Sequence, residues 1–218
     1  MGNAEGHGVE LFDAVNAAIG SRLAESRHLL LVSHLRPDGD AVGSLLGLGL
    51  ALQESGRSVQ MVLADGTPSA FGHLVGADRI SAAIRPDFDV FIALDCAESM
   101  DAGNAAAQLG PPNINVDHHA SNPGFGTLNL VDSSQVSTSA VIARHMSSWG
   151  LSASAPVAAA LLTGIISETL GFRTANVTAA TMRQVADLMD QGADLPSLYL
   201  RAEVGIAVHR RIRSAHGK

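Results

Sequence analysis

Three short apolar runs, each ending in an acid or an imidazole, constrain this chain more than any other feature. Residues 29–32 lead to His34, residues 90–94 to Asp95, and residues 113–116 to Asp117-His118-His119. Runs this short are bounded like strands, and they read as buried parallel strands. In open α/β sheets the carboxyl ends of the strands line one crevice, where ligands bind. His34, Asp38, Asp40, Asp95, Asp117, His118 and His119 are thereby gathered at one edge. Carboxylates at that density need a cation to neutralise them, and mixed Asp/His donors suit a divalent metal.

The rest of the chain alternates in the same way. Helix 9–26 leads into strand 29–32, and Asp40 is placed to cap helix 41–54. Strand 59–63, a short helix over 70–75, strand 89–95, a weak helix over 101–109, strand 113–117 and strand 127–131 follow. Helices over 137–149, 156–167, 178–191 and 195–204 complete the pattern. The expected fold is α/β, a mainly parallel sheet of about five strands with helices on both faces. One domain is expected over 9–205, with a basic tail over 206–218 that carries Arg210, Arg211 and Arg213.

Composition excludes several classes. With 46% hydrophobic and 16% charged residues, the 218-residue chain is globular. A net charge of −7 argues against long duplex nucleic acid, whose binding rests on phosphate neutralisation. A nucleotide or short RNA held at a metal stays open. Cys96 is the single cysteine and cannot form an internal disulfide, which fits a reducing compartment. No apolar run reaches membrane-spanning length, and the N-terminus lacks a signal-peptide pattern, so a soluble cytoplasmic protein without membrane contact is expected.

Pro37 and Gly39 set a tight turn that lets Asp38 and Asp40 aim into the crevice from different heights. Gly43 and Ser44, in the first turn of the next helix, leave room for a phosphate near helix N–H groups, which makes Ser44 a candidate substrate contact. Glu168 ends an apolar helix, where a carboxylate without a partner is costly. It is therefore a candidate metal ligand. Absence of cysteine ligands argues against structural zinc, and hard carboxylates with imidazole suit Mn²⁺.

These motifs resemble the DHH phosphoesterase family, in particular its nanoRNase and phosphoadenosine-phosphate phosphatase branch. The residues that carry the resemblance are His34 to Ser44 with Pro37-Asp38-Gly39-Asp40, then Asp95, then Asp117-His118-His119, then Thr163-Gly164-Ile165 through Glu168-Thr169 to Phe172. Glu168 stands where the family has aspartate. The similarity runs from about residue 10 to 200.

The resemblance implies a manganese-dependent phosphoesterase acting on a 3′,5′-bisphosphate nucleotide or a very short oligoribonucleotide. It implies two Mn²⁺ per chain, with Mg²⁺ or Co²⁺ as substitutes. His34, Asp38 and Asp95 would hold one ion. Asp40, Asp95, His118 and Glu168 would hold the other, with Asp95 bridging. His119 would act on the substrate beside Asp95 and His118, and Arg173 would contact phosphate. Family members usually continue into a smaller substrate-binding domain that has no counterpart in these residues, so a truncated or split protein, or a more open site, is expected. Two further readings stay open: an inorganic pyrophosphatase-like hydrolase, and a catalytically weak metal- or nucleotide-binding module. The apolar helices and low charge permit a homodimer, and nothing in the sequence specifies one.

Overall fold

The structure, a computed structural model, describes residues 3–99 and 101–201. The end of the last helix and the expected tail over 206–218 lie outside the described residues. The apolar runs form five strands: β1 (His28–Val32), β2 (Ser58–Val62), β3 (Val90–Leu94), β4 (Ile114–Asp117) and β5 (Leu128–Val131). All pair in parallel, in the order β2-β1-β3-β4-β5. Connections leave β1 toward β2 on one side and return to β3 on the other. The order therefore reverses between β1 and β3, and the crevice opens at their carboxyl ends.

Seven helices accompany the sheet among the described residues: α1 (Asn3–Glu25), α2 (Gly39–Glu54), α3 (Asn104–Ala107), α4 (Thr138–His145), α5 (Ala155–Glu168), α6 (Ala179–Asp190) and α7 (195–201). The two faces are covered unequally. Alternate strand residues point to opposite faces. Leu29, Leu31, Ile92, Leu94 and Val116 enter a large core with Ile19, Leu45, Val141 and Leu161 from the long helices. Leu30, Val32, Phe91 and Ala93 enter a smaller cluster with Cys96, Ala102 and the α3 residue Ala106. None of the helices among the described residues is long and apolar enough to cross a membrane.

Two local expectations are corrected. The helix over 70–75 is instead two 3₁₀ turns, Ser69–Phe71 and Ala77–Arg79, separated by Gly72 and by Gly76 at φ 85°. Glycine in the left-handed region ends a helix and does not extend it. The cap of α2 is Asp38, not Asp40: Asp38 is extended, and its carboxylate accepts from the N–H groups of Asp40 and Ala41. Asp40 is thereby freed for a partner elsewhere in the fold.

α2 is buried from Gly39 to Leu52, as expected of a helix apolar on all sides. It crosses α5 at very short range. A Cβ on Gly43 would lie 2.7 Å from the Ala160 carbonyl and 2.8 Å from the Gly164 nitrogen. The space at Gly43 is occupied by α5, not held open for a phosphate. Ser44 is fully buried, and its hydroxyl donates to the Ala41 carbonyl at 3.3 Å. This packing fixes the end of α5, and with it Glu168, relative to the start of α2.

Candidate metal centre

His34, Asp95, His118 and His119 reach the site from strand ends, Asp38 and Asp40 from the start of α2, and Glu168 from the end of α5. His34 follows β1 and donates from Nδ1 to the Leu35 carbonyl at 2.7 Å, which leaves Nε2 as the free donor atom. That Nε2 lies 3.8 Å from Asp38 Oδ1 and 3.5 Å from Asp95 Oδ2. Asp95 follows β3 with φ at 56°, a left-handed conformation uncommon for a residue with a side chain. Its N–H donates to the Val116 carbonyl at 3.0 Å, so the neighbouring strand holds the strained turn in place.

The other side of the cluster is built from β4. His118 Nε2 lies 3.9 Å from Asp40 Oδ2 and 3.9 Å from Asp95 Oδ1. His119 Nδ1 donates to Asp117 Oδ1 at 2.7 Å and lies 3.9 Å from Asp95 Oδ1. Donor atoms of His34, Asp38 and Asp95 form one group with mutual distances within 4.8 Å, and those of Asp95, His118 and His119 form another. Asp95 belongs to both. Such sets of hard oxygens and imidazole nitrogens suit a divalent ion such as Mn²⁺.

Three supporting contacts lock these side chains. The Asp40 carboxylate, 1% exposed, accepts from the N–H groups of Thr138 at 2.7 Å and Ser139 at 2.9 Å, at the start of α4. A helix N-terminus favours a carboxylate there. Thr138 Oγ1 donates to Asp95 Oδ1 at 2.9 Å. Asp117, fully buried, takes the His118 N–H at 2.8 Å and the Asn122 amide at 2.7 Å besides His119. Asp117 thus stands behind the histidines and outside both donor groups.

The electrostatics follow from this crowding. Burial works against charge on His34, but the Asp38 and Asp95 carboxylates outweigh it and hold the imidazolium up to about 11. Burial also works against the Asp38 carboxylate, yet His34 and two backbone N–H groups bring it down to about 2. Burial and the Asp95 charge push Asp40 well above the usual carboxylate range, against the Ser139 hydrogen bond. Burial lowers His118, with the Asp95 charge opposing. The hydrogen bond to Asp117 raises His119 to about 9. The cluster needs positive charge, which protons supply in the metal-free protein and a divalent cation could supply in their place.

A cavity of about 330 Å³ opens on this group, lined by His34, Leu35, Arg36, Asp38, Asp95, Ala97, Asp101, His119 and Glu168. Glu168 therefore faces the site, although its carboxylate falls outside the two donor groups. After it, Leu170, Gly171 and Phe172 all have positive φ, a turn that ends α5 abruptly at the cavity wall. Arg173 is exposed and its Nε donates to the Leu170 carbonyl; the cavity lining does not include it. Ser44 is likewise outside it.

Sequence reasoning missed Thr138, Asn122 and Arg36 as members of the site. Thr138 lies in Ser137-Thr138-Ser139, a run that reads as helix caps, and Ser137 is indeed the cap, accepting from Ala140. The signal for Thr138 was an excess of hydroxyls over what one cap requires. Asn122 carries no such signal.

Residues 28–165 match the model for the DHH family, N-terminal domain. The chain is 35% identical over 176 residues to the bifunctional oligoribonuclease and PAP phosphatase NrnA of Thermus thermophilus, a match covering 78% of this chain and 52% of that protein. The protein of the same description from Bacillus subtilis is 28% identical over 167 residues, covering 74% and 52%. The chain spans about half the length of the curated relatives it matches. Among solved structures, an exopolyphosphatase-related protein from Bacteroides fragilis shares the fold with a TM-score of 0.80 at 22% identity, covering 87% of this chain and 60% of that one.

Proposed function

The chain belongs to the DHH family, and on that basis we propose that it is a metal-dependent phosphoesterase acting on small nucleotides, 3′,5′-bisphosphates or very short oligoribonucleotides, with two Mn²⁺ per chain. The observation that carries this reading is the division of Asp95: Oδ2 faces His34 at 3.5 Å while Oδ1 faces His118 at 3.9 Å. One carboxylate turned to two imidazoles on opposite sides is the arrangement a bridging ligand requires. Relatives described as oligoribonuclease and PAP phosphatase support the substrate class.

His34, Asp38 and Asp95 would hold one ion, and Asp40, Asp95, His118 and Glu168 the other; such a pair supplies Lewis acidity toward the phosphoryl oxygens and an activated water. The chain's own groups do the rest. The Leu35 carbonyl fixes the His34 tautomer, the α4 N–H groups orient Asp40, and Thr138 holds Asp95. Asp117 occupies Nδ1 of His119, so Nε2 is the atom available to donate to a phosphate or leaving-group oxygen. Arg173 and Ser44 receive no substrate contact in this reading. The catalytic domain is assigned to residues 9–205, with 206–218 outside it, and the buried free thiol of Cys96 suits a cytoplasmic setting.

A phosphate-release panel with Mn²⁺ tests this. Nucleoside 3′,5′-bisphosphate and dinucleotide should be turned over well above pyrophosphate and cyclic dinucleotide. Turnover of pyrophosphate alone would replace the reading with a pyrophosphatase.

A further inference from the structure

Arg36 sits at the mouth of the cavity with no role in the chemistry above. Among the described residues lining the cavity it is the only arginine or lysine, beside the carboxylates of Asp38, Asp95, Asp101 and Glu168. Asp38 and Asp95 have imidazoles to answer them, whereas no hydrogen bond or ion pair engages the Arg36 guanidinium within the described residues. The residue is exposed and has φ at 53°.

That left-handed turn is tethered on every side. His34 Nδ1 donates to the Leu35 carbonyl at 2.7 Å, and the Leu35 N–H donates to the Asp101 carbonyl at 2.7 Å. The Arg36 N–H donates to Asp65 Oδ2 at 2.7 Å, from the loop that follows β2. Leu35 lies over Gly103, where even a Cβ would come within 3.1 Å of its Cδ2. A left-handed backbone is unfavourable for a residue with a side chain and persists only when its surroundings over-determine it. Here the surroundings aim one arginine over the cavity rim, next to the His34 ligand.

We infer that Arg36 binds a second, non-scissile phosphate of the substrate and so selects nucleotides that carry two phosphates over those with one. The inference rests on the phosphoesterase reading. The physical ground is charge placement. A phosphate being cleaved is met by the cations of the cluster, but another phosphate on the same nucleotide lies off that cluster and faces acidic residues. It needs a cation of its own, and a planar guanidinium pairs with phosphate in two parallel hydrogen bonds. A 3′,5′-bisphosphate and the linking phosphate of a dinucleotide with a 5′-phosphate present this same pair of groups.

The test compares Arg36→Gln and Arg36→Lys with the unaltered chain, all loaded with Mn²⁺. Calorimetric binding is measured for adenosine 3′,5′-bisphosphate and adenosine 5′-monophosphate in their slowly hydrolysed phosphorothioate forms, alongside kcat/KM for the natural bisphosphate. Arg36→Gln should weaken bisphosphate binding about tenfold to a hundredfold, as expected for loss of a charge-assisted hydrogen bond, and change monophosphate binding about twofold or less. Arg36→Lys should fall between, because it keeps the charge and loses the fork. Equal weakening of both ligands, or none for the bisphosphate, overturns the assignment; circular dichroism of each variant separates that from misfolding. If the unaltered chain binds both ligands and hydrolyses neither, the phosphoesterase reading fails while the binding ratio still judges Arg36. If it binds neither, both fail.

Discussion

The Asp117 carboxylate accepts a 2.7 Å hydrogen bond from His119 Nδ1, and Asp117 is fully buried while the His119 side chain is 41% exposed. A buried acid thus sets the tautomer and charge of an imidazole that faces the cavity. His119→Ala should lower kcat about a hundredfold, in the range of a lost general acid, with metal content unchanged. Asp117→Asn keeps the ring in place but removes its anionic acceptor. The His119 pKa, followed by NMR, should then fall from about 9 toward the ordinary histidine value, with kcat falling at least about tenfold. Loss of bound metal in His119→Ala would make His119 a ligand instead.

Metal binding should release protons. His34 is raised to about 11, so at pH 7 the metal-free ring is protonated, and a cation at Nε2 must expel that proton. Affinity should therefore rise with pH, about tenfold per unit for each proton displaced, and weaken as pH falls. Titration calorimetry at pH 7 in buffers of different ionisation enthalpy should show about one proton released as the His34 site fills. A buffer-independent heat would show that His34 is neutral before binding or is not a ligand.

Glu168 stands at the cavity wall, and like Asp40 it falls outside the two donor groups, His34–Asp38–Asp95 and Asp95–His118–His119. If its longer side chain reaches the second ion imperfectly, Glu168→Asp should preserve or raise activity with Mn²⁺. Glu168→Ala should lose the second ion and most turnover. Full metal content and full activity in Glu168→Ala would remove it from the ligand set.

The cavity lining carries no Phe, Tyr or Trp among the described residues, and its two rings, His34 and His119, are already engaged by Asp38, Asp95 and Asp117. Nucleotides that differ only in base should be turned over by this 218-residue chain at similar rates, with a high KM. A strong preference for one base at micromolar substrate would show a base pocket within the chain.

The sheet and the acid–histidine cluster were legible because the same residues set both. Apolar runs long enough for one strand stop where Asp95 and Asp117-His118-His119 begin, and parallel strands bring such ends together. Long-range partners were not legible. Asp40 reads as a helix cap from its neighbours, but its partners are the N–H groups of Thr138 and Ser139, nearly a hundred residues away. Gly43 and Ser44 look like a phosphate loop until α5 is seen packed against them. Arg36 drew no reading from the sequence, because neither its left-handed backbone nor the tethers from Asp65 and Asp101 leave a periodic trace.

The central claim is that Asp95 serves two ions at once, and metal counting tests it most directly. Bound Mn²⁺ per chain should be measured for the unaltered protein, Asp38→Asn and Asp95→Asn, alongside phosphate release. The account predicts two ions in the unaltered chain, loss of mainly one in Asp38→Asn, and reduced occupancy of both sites with activity abolished in Asp95→Asn. Two ions still bound to Asp95→Asn, with activity above a few per cent, would contradict it.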